Sequence, residues 1–150
     1  MDDEIVVKVW REPGCADVPV PGYMTDHASG LDLPAAVTEA LTLAPGEFRM
    51  VSTGLRLEIP PGYEGQVRPR SGLAAKYGLG VVNTPGTIDA DYRGTVQVIL
   101  INWGPGPVTI HRGDRIAQLV VQRVPRVRVV EVDELGETMR QDGGFGHTGR

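Results

Sequence analysis

Glycine and proline cut this chain into short pieces, and that punctuation limits its fold more than any other feature. The 150 residues hold 20 glycines and 12 prolines, many of them clustered, at Pro13-Gly14, Pro21-Gly22, Pro45-Gly46, Pro60-Pro61-Gly62 and Gly104-Pro105-Gly106-Pro107. Proline lacks the amide donor that a helix interior or a central strand requires, and glycine opens the positive-φ conformations of tight turns. Long helices are disfavoured, and many short strands joined by turns are expected, which makes the chain an all-β domain.

Between the breaks the pattern is that of strands. Ile5 to Trp10 reads as a first strand, and Val18-Pro19-Val20-Pro21-Gly22 as an extended surface run. From Phe48 to Ile59, Leu55, Leu57 and Ile59 share one face while Arg56 and Glu58 share the other, the alternation of a half-buried antiparallel strand. Thr95 to Asn102 is apolar enough for a buried strand. Val108 to Ile110 begins another, and Ile116 to Val121 follows a turn at Gly113-Asp114-Arg115. Val124 to Val132 completes the set, with Arg126 and Arg128 alternating outward. Only Ser71 to Tyr77, closed by Gly78, reads as a helix, barely two turns long.

The length suits one domain, and a hydrophobic content of 41% suffices for a core. A formal net charge of −4 argues against general binding to nucleic acid or to anionic membrane, where a basic face is expected. The sequence opens Met1-Asp2-Asp3-Glu4, the wrong sign for a secretory signal, and no apolar run approaches a membrane span. Cys15 stands alone, so no internal disulfide forms. A cytoplasmic location is expected.

Residues able to carry chemistry collect in a few places. Asp32 lies between Leu31 and Leu33 and so alternates away from them, towards solvent or a site; a satisfied surface carboxylate is the ordinary alternative. Arg70 stands directly before the helix start, which reads either as a phosphate site or as a capped connector with an ion-paired arginine. From Gly86 to Gly94 two carboxylates, Asp89 and Asp91, share a hairpin with Tyr92 and Arg93; taken alone, these are charges solvated on a turn. Gln118 interrupts an apolar strand, so its amide needs backbone or ligand partners. The tail from Arg140 to Arg150 is glycine-rich, the composition of a disordered end. Its arginine, phenylalanine and threonine could equally fold over a ligand, with amides toward phosphate and the ring on a base. His27 and His111 read as surface residues. No zinc-ligand spacing, P-loop, nucleophile elbow or dinucleotide fingerprint is present.

Five of these segments, in order, resemble the five motifs of the trimeric deoxyuridine triphosphatases (dUTPases). They are Ala28 to Leu33, Pro69 to Ala74, Gly86 to Gly94, Gly113 to Leu119 and Gly143 to Gly149. The match spans nearly the whole chain. The resemblance implies a distorted β-barrel or jelly roll with one short helix, assembled as a homotrimer with active sites shared between chains. Residues 1–139 would form the barrel and 140–150 a flexible arm completing the site. The implied reaction is magnesium-dependent hydrolysis of dUTP to dUMP and pyrophosphate, which limits uracil in DNA and supplies dUMP for thymidylate synthesis.

By the same resemblance, Asp89 matches the general base that orients and deprotonates water for in-line attack on the α-phosphorus. Asp32 matches the carboxylate that holds Mg2+ through its water shell. Arg70, Ser71, Gly72, Gln118 and Arg140 would serve the phosphates. Asn83, Gly86, Thr87 and Ile88 would face uracil, and Tyr92 would pack under the deoxyribose and exclude a 2′-hydroxyl. Phe145 would cover the base, and Gly146, His147 and Thr148 would wrap the phosphates; His147 stands where many members carry serine. Asp91 and Arg93 are left to hold the turn or a subunit contact.

Two other readings compete. A dCTP deaminase of the same fold family needs a glutamate at the base, and none occurs between Glu64 and Glu131. A catalytically silent nucleotide-binding module could have shed Asp89, yet Asp32, Arg70, Ser71, Asp89, Tyr92, Arg140 and Phe145 are all present.

Overall fold

The computed structural model describes residues 4–146 and 148–149. Along the chain the described elements are β1 (Lys8–Arg11), β2 (Leu31–Pro34), β3 (Leu41–Leu43), β4 (Phe48–Glu58), β5 (Tyr63–Arg68), α1 (Ser71–Tyr77), β6 (Leu79–Val81), β7 (Gly86–Ile88), β8 (Thr95–Asn102), β9 (Val108–Ile110) and β10 (Arg115–Arg123). All pairings are antiparallel. One sheet runs β1-β4-β8-β6, a second runs β2-β10-β5-β7, and β3 pairs with β9. The two larger sheets share one core, in which Leu57, Val98 and Leu100 of the first meet Leu33, Val67, Ile116 and Leu119 of the second. This is a jelly roll with one short helix. Each fully buried leucine in it contributes roughly 2 kcal/mol of transfer free energy.

The alternation in β4 holds: Leu55, Leu57 and Ile59 are buried, and Arg56 and Glu58 exposed. The pairing of β4 with β8 slips between Ser52 and Arg56. The slip surrounds Gly54, whose φ of +67° is costly for any side chain and whose missing Cβ would lie 2.6 Å from Cys15 Sγ. Buried Thr53 donates its hydroxyl to Val96 O at 2.7 Å. Asn102, fully buried at the end of β8, donates to Leu43 O (2.9 Å) and Gly106 O (2.8 Å) and accepts from Gly104 N (2.9 Å). One amide thus ties the small β3-β9 pair and the 104–106 turn to the first sheet.

The helix forms over Ser71–Tyr77 as read, closed by Gly78, and four local expectations change. Residues 86–94 hold a tight turn, with Tyr92 N donating to Asp89 O, but no hairpin, because β7 pairs with β5 in the second sheet while β8 lies in the first. The first strand begins at Lys8, not Ile5. Ser71 opens the helix, but the capping position is Arg70, whose side chain makes no cap bond. Its guanidinium is drawn instead to Asp32 and to Arg115 O. The proposed strand from Val124 to Val132 is absent: β10 ends at Arg123 and the following residues are irregular and exposed, Val127 by 80% and Val129 by 90%. Alternation supplies a strand's side chains, but a strand also needs a neighbour for its backbone groups, and among the described residues only Val124 N finds one, donating to Gly62 O at 2.8 Å. Among the described residues no helix is long and apolar enough to cross a membrane.

Candidate active site

Strand β7 closes the second sheet, pairing with β5 alone through Gly65↔Ile88, Gln66↔Thr87 and Val67↔Gly86. Its other edge keeps unpaired backbone donors and acceptors. That edge borders a cleft of about 240 Å³, lined by Asn83, Gly86, Thr87, Ile88, Asp89 and Tyr92 from β7 and the loops on either side of it and by Met50, Gln97 and Ile99 from the first sheet. A Cβ on Gly86 would come within 3.2 Å of Asn83 Nδ2 and 3.3 Å of Val67 Cβ, so the Asn83 and Val67 side chains pack closely against this glycine. The Tyr92 hydroxyl donates to Thr95 O at 3.0 Å, and the ring folds back over Gly94. Asp89, one residue beyond β7, is exposed and also lines a larger cavity of about 550 Å³ against Tyr63, Glu64, Val124 and Arg126. Arg93 donates to Ala90 O (2.7 Å) and Tyr92 O (3.1 Å), which fixes the turn carrying Asp89.

A second cluster forms at the far side of the same sheet. Asp32 sits opposite Gln118, and Gln118 opposite Arg68. The Asp32 carboxylate is 13% exposed and held by two guanidinium groups, Arg115 at 3.0 Å and Arg70 at 3.3 Å. Gln118 donates one amide N–H to Pro69 O at 2.8 Å, which resolves the choice for its buried half in favour of backbone and leaves a second N–H available. Ser71 and Gly72 are exposed beside Arg70. Among the described residues no three His, Cys, Asp or Glu side chains gather to hold a metal directly. A lone carboxylate between two arginines suits a hydrated Mg2+ carried on phosphate oxygens, since this ion keeps several of its waters.

Within one chain the two clusters stay apart. Three strand spacings of about 4.8 Å and four residues of about 3.4 Å separate Asp32 from Asp89 along the sheet, roughly 20 Å. Among the described residues, the tail's hydrogen bonds reach neither cluster. Arg140 donates to its own neighbour Gly143 O at 2.6 Å, and Phe145 and Thr148 are exposed. His147 lies outside the described residues.

Sequence reasoning missed three contributors. Arg115 reads as a turn residue, but the register slips between Arg115 and Ala117 and its side chain reaches Asp32. A Cβ on Gly30 would meet Gln118 Oε1 at 2.1 Å, and one on Gly94 would meet Tyr92 Oη at 2.3 Å. Their position inside the motif segments is the only signal the sequence carries for these glycines.

A jelly roll with a small-molecule cleft along an open strand edge, and an arginine and carboxylate cluster fit for phosphate, is the frame of a nucleotide-processing enzyme. The family model for dUTPase matches residues 16–149, and the chain belongs to that family. It is therefore a dUTP diphosphatase by type. The deoxyuridine 5'-triphosphate nucleotidohydrolase of Anaeromyxobacter sp. is 59% identical, over 97% of this chain and 99% of its own. That of Caldanaerobacter subterraneus subsp. tengcongensis is 53% identical, over 97% of this chain and 98% of its own. Among solved structures, the Staphylococcus bacteriophage 80alpha dUTPase with dUPNHPP superposes with a TM-score of 0.86 at 25% identity, covering 97% of this chain and 99% of that one. A mutant dUTPase from phage phi11 of S. aureus, solved for its coordination of a structural Mg(II) ion, matches with a TM-score of 0.76 at 24% identity, covering 86% and 97%.

Proposed function

We propose that this chain hydrolyses dUTP to dUMP and pyrophosphate by attack of an Asp89-oriented water on the α-phosphorus. The observation that carries this reading is the juxtaposition of the open β7 edge, Tyr92 and Asp89 around one cleft. Uracil pairs its O4 and N3–H with the free backbone groups of Gly86 to Ile88 and the Asn83 amide. A cytosine edge would leave such groups unmatched at about 1–3 kcal/mol each, and on this reading the cleft beside Gly86 also excludes a thymine methyl. Tyr92 packs under the deoxyribose, its ring fixed by the bond to Thr95 O, so a 2′-hydroxyl collides.

Asp89 accepts the proton as the water oxygen bonds to the α-phosphorus and the bond to pyrophosphate breaks. Arg70, the Ser71 hydroxyl, the Gly72 amide, the second Gln118 N–H and Arg140 offset charge on the phosphates. Mg2+, when bound, would neutralise charge on the triphosphate, and Asp32 is the residue that would hold it, by way of water.

The 20 Å between the clusters supports a site shared between chains of a homotrimer, with Asp89 of one chain meeting Asp32, Arg70 and Gln118 of another. Exposed apolar surface supports that assembly. Phe48 and Met50 lie 59% and 62% exposed on the outward face of the first sheet, paired with Ile101 and Ile99, and the valines after β10 are bare. Residues 140–150 act as an arm that orders on substrate, with Phe145 over uracil and Gly146 to Thr148 along the phosphates. The lone cysteine suits a reducing cytoplasm, where the activity keeps uracil out of DNA and furnishes dUMP for thymidylate synthesis.

Pyrophosphate release from dUTP, with dCTP and ammonia detection alongside, tests the reading. The wild type releases pyrophosphate from dUTP and no ammonia from dCTP. Asp89→Asn keeps the fold and nucleotide binding while turnover falls by about 10²- to 10⁴-fold. Near-normal turnover in that variant removes Asp89 from the chemistry.

A further inference from the structure

Arg115 has no place in the phosphate contacts above, yet it makes the shortest ion pair with Asp32, 3.0 Å from Nη1 to Oδ2. Arg70 takes the other oxygen, Oδ1, at 3.3 Å, and also donates to Arg115 O at 3.0 Å. The free site is thus one carboxylate between two cations, and the two cations differ in how firmly they are held. Arg70 leaves the end of β5 and is the first residue before an exposed helix. Arg115 leaves a turn fastened on both sides. Ala35 N donates to Asp114 O (2.8 Å), Gly113 N to Ala35 O (2.8 Å) and His111 N to the Asp114 carboxylate (2.7 Å). Next to it, Arg112 bolts the turn to both Asp17 oxygens and to Gly14 O. The slip in register then aims Arg115 across β2 at Asp32.

This asymmetry has a consequence when a triphosphate arrives. Phosphate oxygens compete for Arg70, whose guanidinium forks onto them as readily as onto a carboxylate. If Arg70 were the sole partner of Asp32, leaving would strand a nearly buried charge, and the pair would resist substrate. With Arg115 in place, Oδ2 stays bound and Oδ1 is released toward the metal's waters. Resting on the dUTP hydrolysis proposed above, we infer that Arg115 is a positioning residue. It anchors Asp32 so that Arg70 can change partner from carboxylate to phosphate and Asp32 can face hydrated Mg2+.

The test is equilibrium binding by calorimetry to the full-length protein, with the imido analogue dUPNHPP in the presence and absence of Mg2+ and with dUMP as a second ligand. In the wild type, tight analogue binding that strengthens with Mg2+ establishes the triphosphate site itself, so failure there counts against the proposed function and not only against Arg115. Arg115→Gln is expected to lose about tenfold in analogue affinity with Mg2+ present, the scale of one charge-assisted hydrogen bond, while dUMP affinity is unchanged. Arg115→Lys keeps the cation and restores most of the loss. In an Asp32→Asn background, Arg115→Gln adds no further loss, because the two act through one contact. Losses that add in the double variant would make Arg115 a direct phosphate ligand and overturn the inference. So would a weakened dUMP affinity equal to that for the analogue, which marks a general structural role. Should Arg115→Gln fail to fold, the lysine variant and the Asp32→Asn background decide the matter: an Arg115→Lys protein with the full tenfold loss, or one indifferent to Asp32, refutes the anchoring role.

Discussion

Gly94→Ala is the sharpest probe of how the sugar is read, because the three atoms nearest to an added methyl group all belong to the Tyr92 ring and its hydroxyl. A methyl group there would sit 2.3 Å from Tyr92 Oη, 2.5 Å from Cζ and 2.9 Å from Cε2. Ordinary contact begins near 3.4 Å, so the ring edge must retreat by about 1 Å. That retreat breaks the 3.0 Å bond from the hydroxyl to Thr95 O. The bond is worth about 0.5–1.5 kcal/mol net, toward the lower end for a half-exposed ring. If Tyr92 packs under the deoxyribose as proposed, moving the ring also opens space for a 2′-hydroxyl. A displacement of about 1 Å at a positioning group costs up to 10²-fold in rate. Spread over both substrates, the expected result is a fall of about tenfold in the ratio of kcat/KM for dUTP over UTP, about 1.4 kcal/mol. The decline should come mostly from better use of UTP. Pyrophosphate release with each nucleotide gives the ratio, and far-UV circular dichroism checks the fold. An unchanged ratio in a folded variant, or equal losses on both nucleotides, would refute the role given to Tyr92.

Further outcomes follow from other contacts. Removing residues 140–150 should leave a folded assembly with little activity; full activity after truncation would show that the arm is dispensable. Asn102→Ala strips partners from Leu43 O, Gly106 O and Gly104 N, at about 1–3 kcal/mol per buried group left unpaired. Thermal unfolding should shift down by roughly 10 °C, and a change of only a degree or two would mean that water replaces the amide. Asp17 is held down to about 2 by the Arg112 guanidinium, from an ordinary 3.8. A depressed carboxyl stabilises the fold above its unfolded value and loses that contribution as pH falls through the folded one. The wild type should therefore melt above Asp17→Asn at every pH over 3.8, with the gap narrowing between 3.8 and about 2 and closing only below that; a gap undiminished at pH 2 contradicts the linkage.

The parts of the fold legible in the sequence are those set by neighbours along the chain. Pro45-Gly46 and Pro60-Pro61-Gly62 delimit β4, and its alternation names Leu55, Leu57 and Ile59 as core, because turn chemistry and side-chain period are local properties. The ordered motifs give Asp32, Arg70, Gln118, Asp89 and Tyr92 as chemistry, and the structure gathers them into two groups. What stays hidden is pairwise and distant. Arg115 is masked because a single extra residue in β10 inverts the face that strict alternation assigns. Gly30 and Gly94 are small for the sake of Gln118 and Tyr92, a fact of packing that no local rule contains. Asn102 ends an apolar run, and nothing near it in sequence announces the carbonyl of Leu43.

The segment after β10 shows the converse, a pattern the sequence carries and a single chain leaves unused. Val127, Val129, Val130 and Val132 are among the barest apolar side chains described, between 55% and 90% exposed. A monomer gains nothing from such a run, and exposed β-branched residues next to an open strand invite pairing with other chains. Strand β1 lies at the edge of the first sheet with one side unpaired, and the β7 edge of the second is equally open. Two open edges, a bare alternating segment and two halves of a site held roughly 20 Å apart are each costly or useless in isolation. They become one design if the copies of the chain meet edge to edge, because the association that buries the valines is then the same event that brings Asp89 to Asp32. Stability of the assembly and assembly of the active site would be linked, so any substitution that weakens subunit contact must also lower activity in proportion to the assembled fraction.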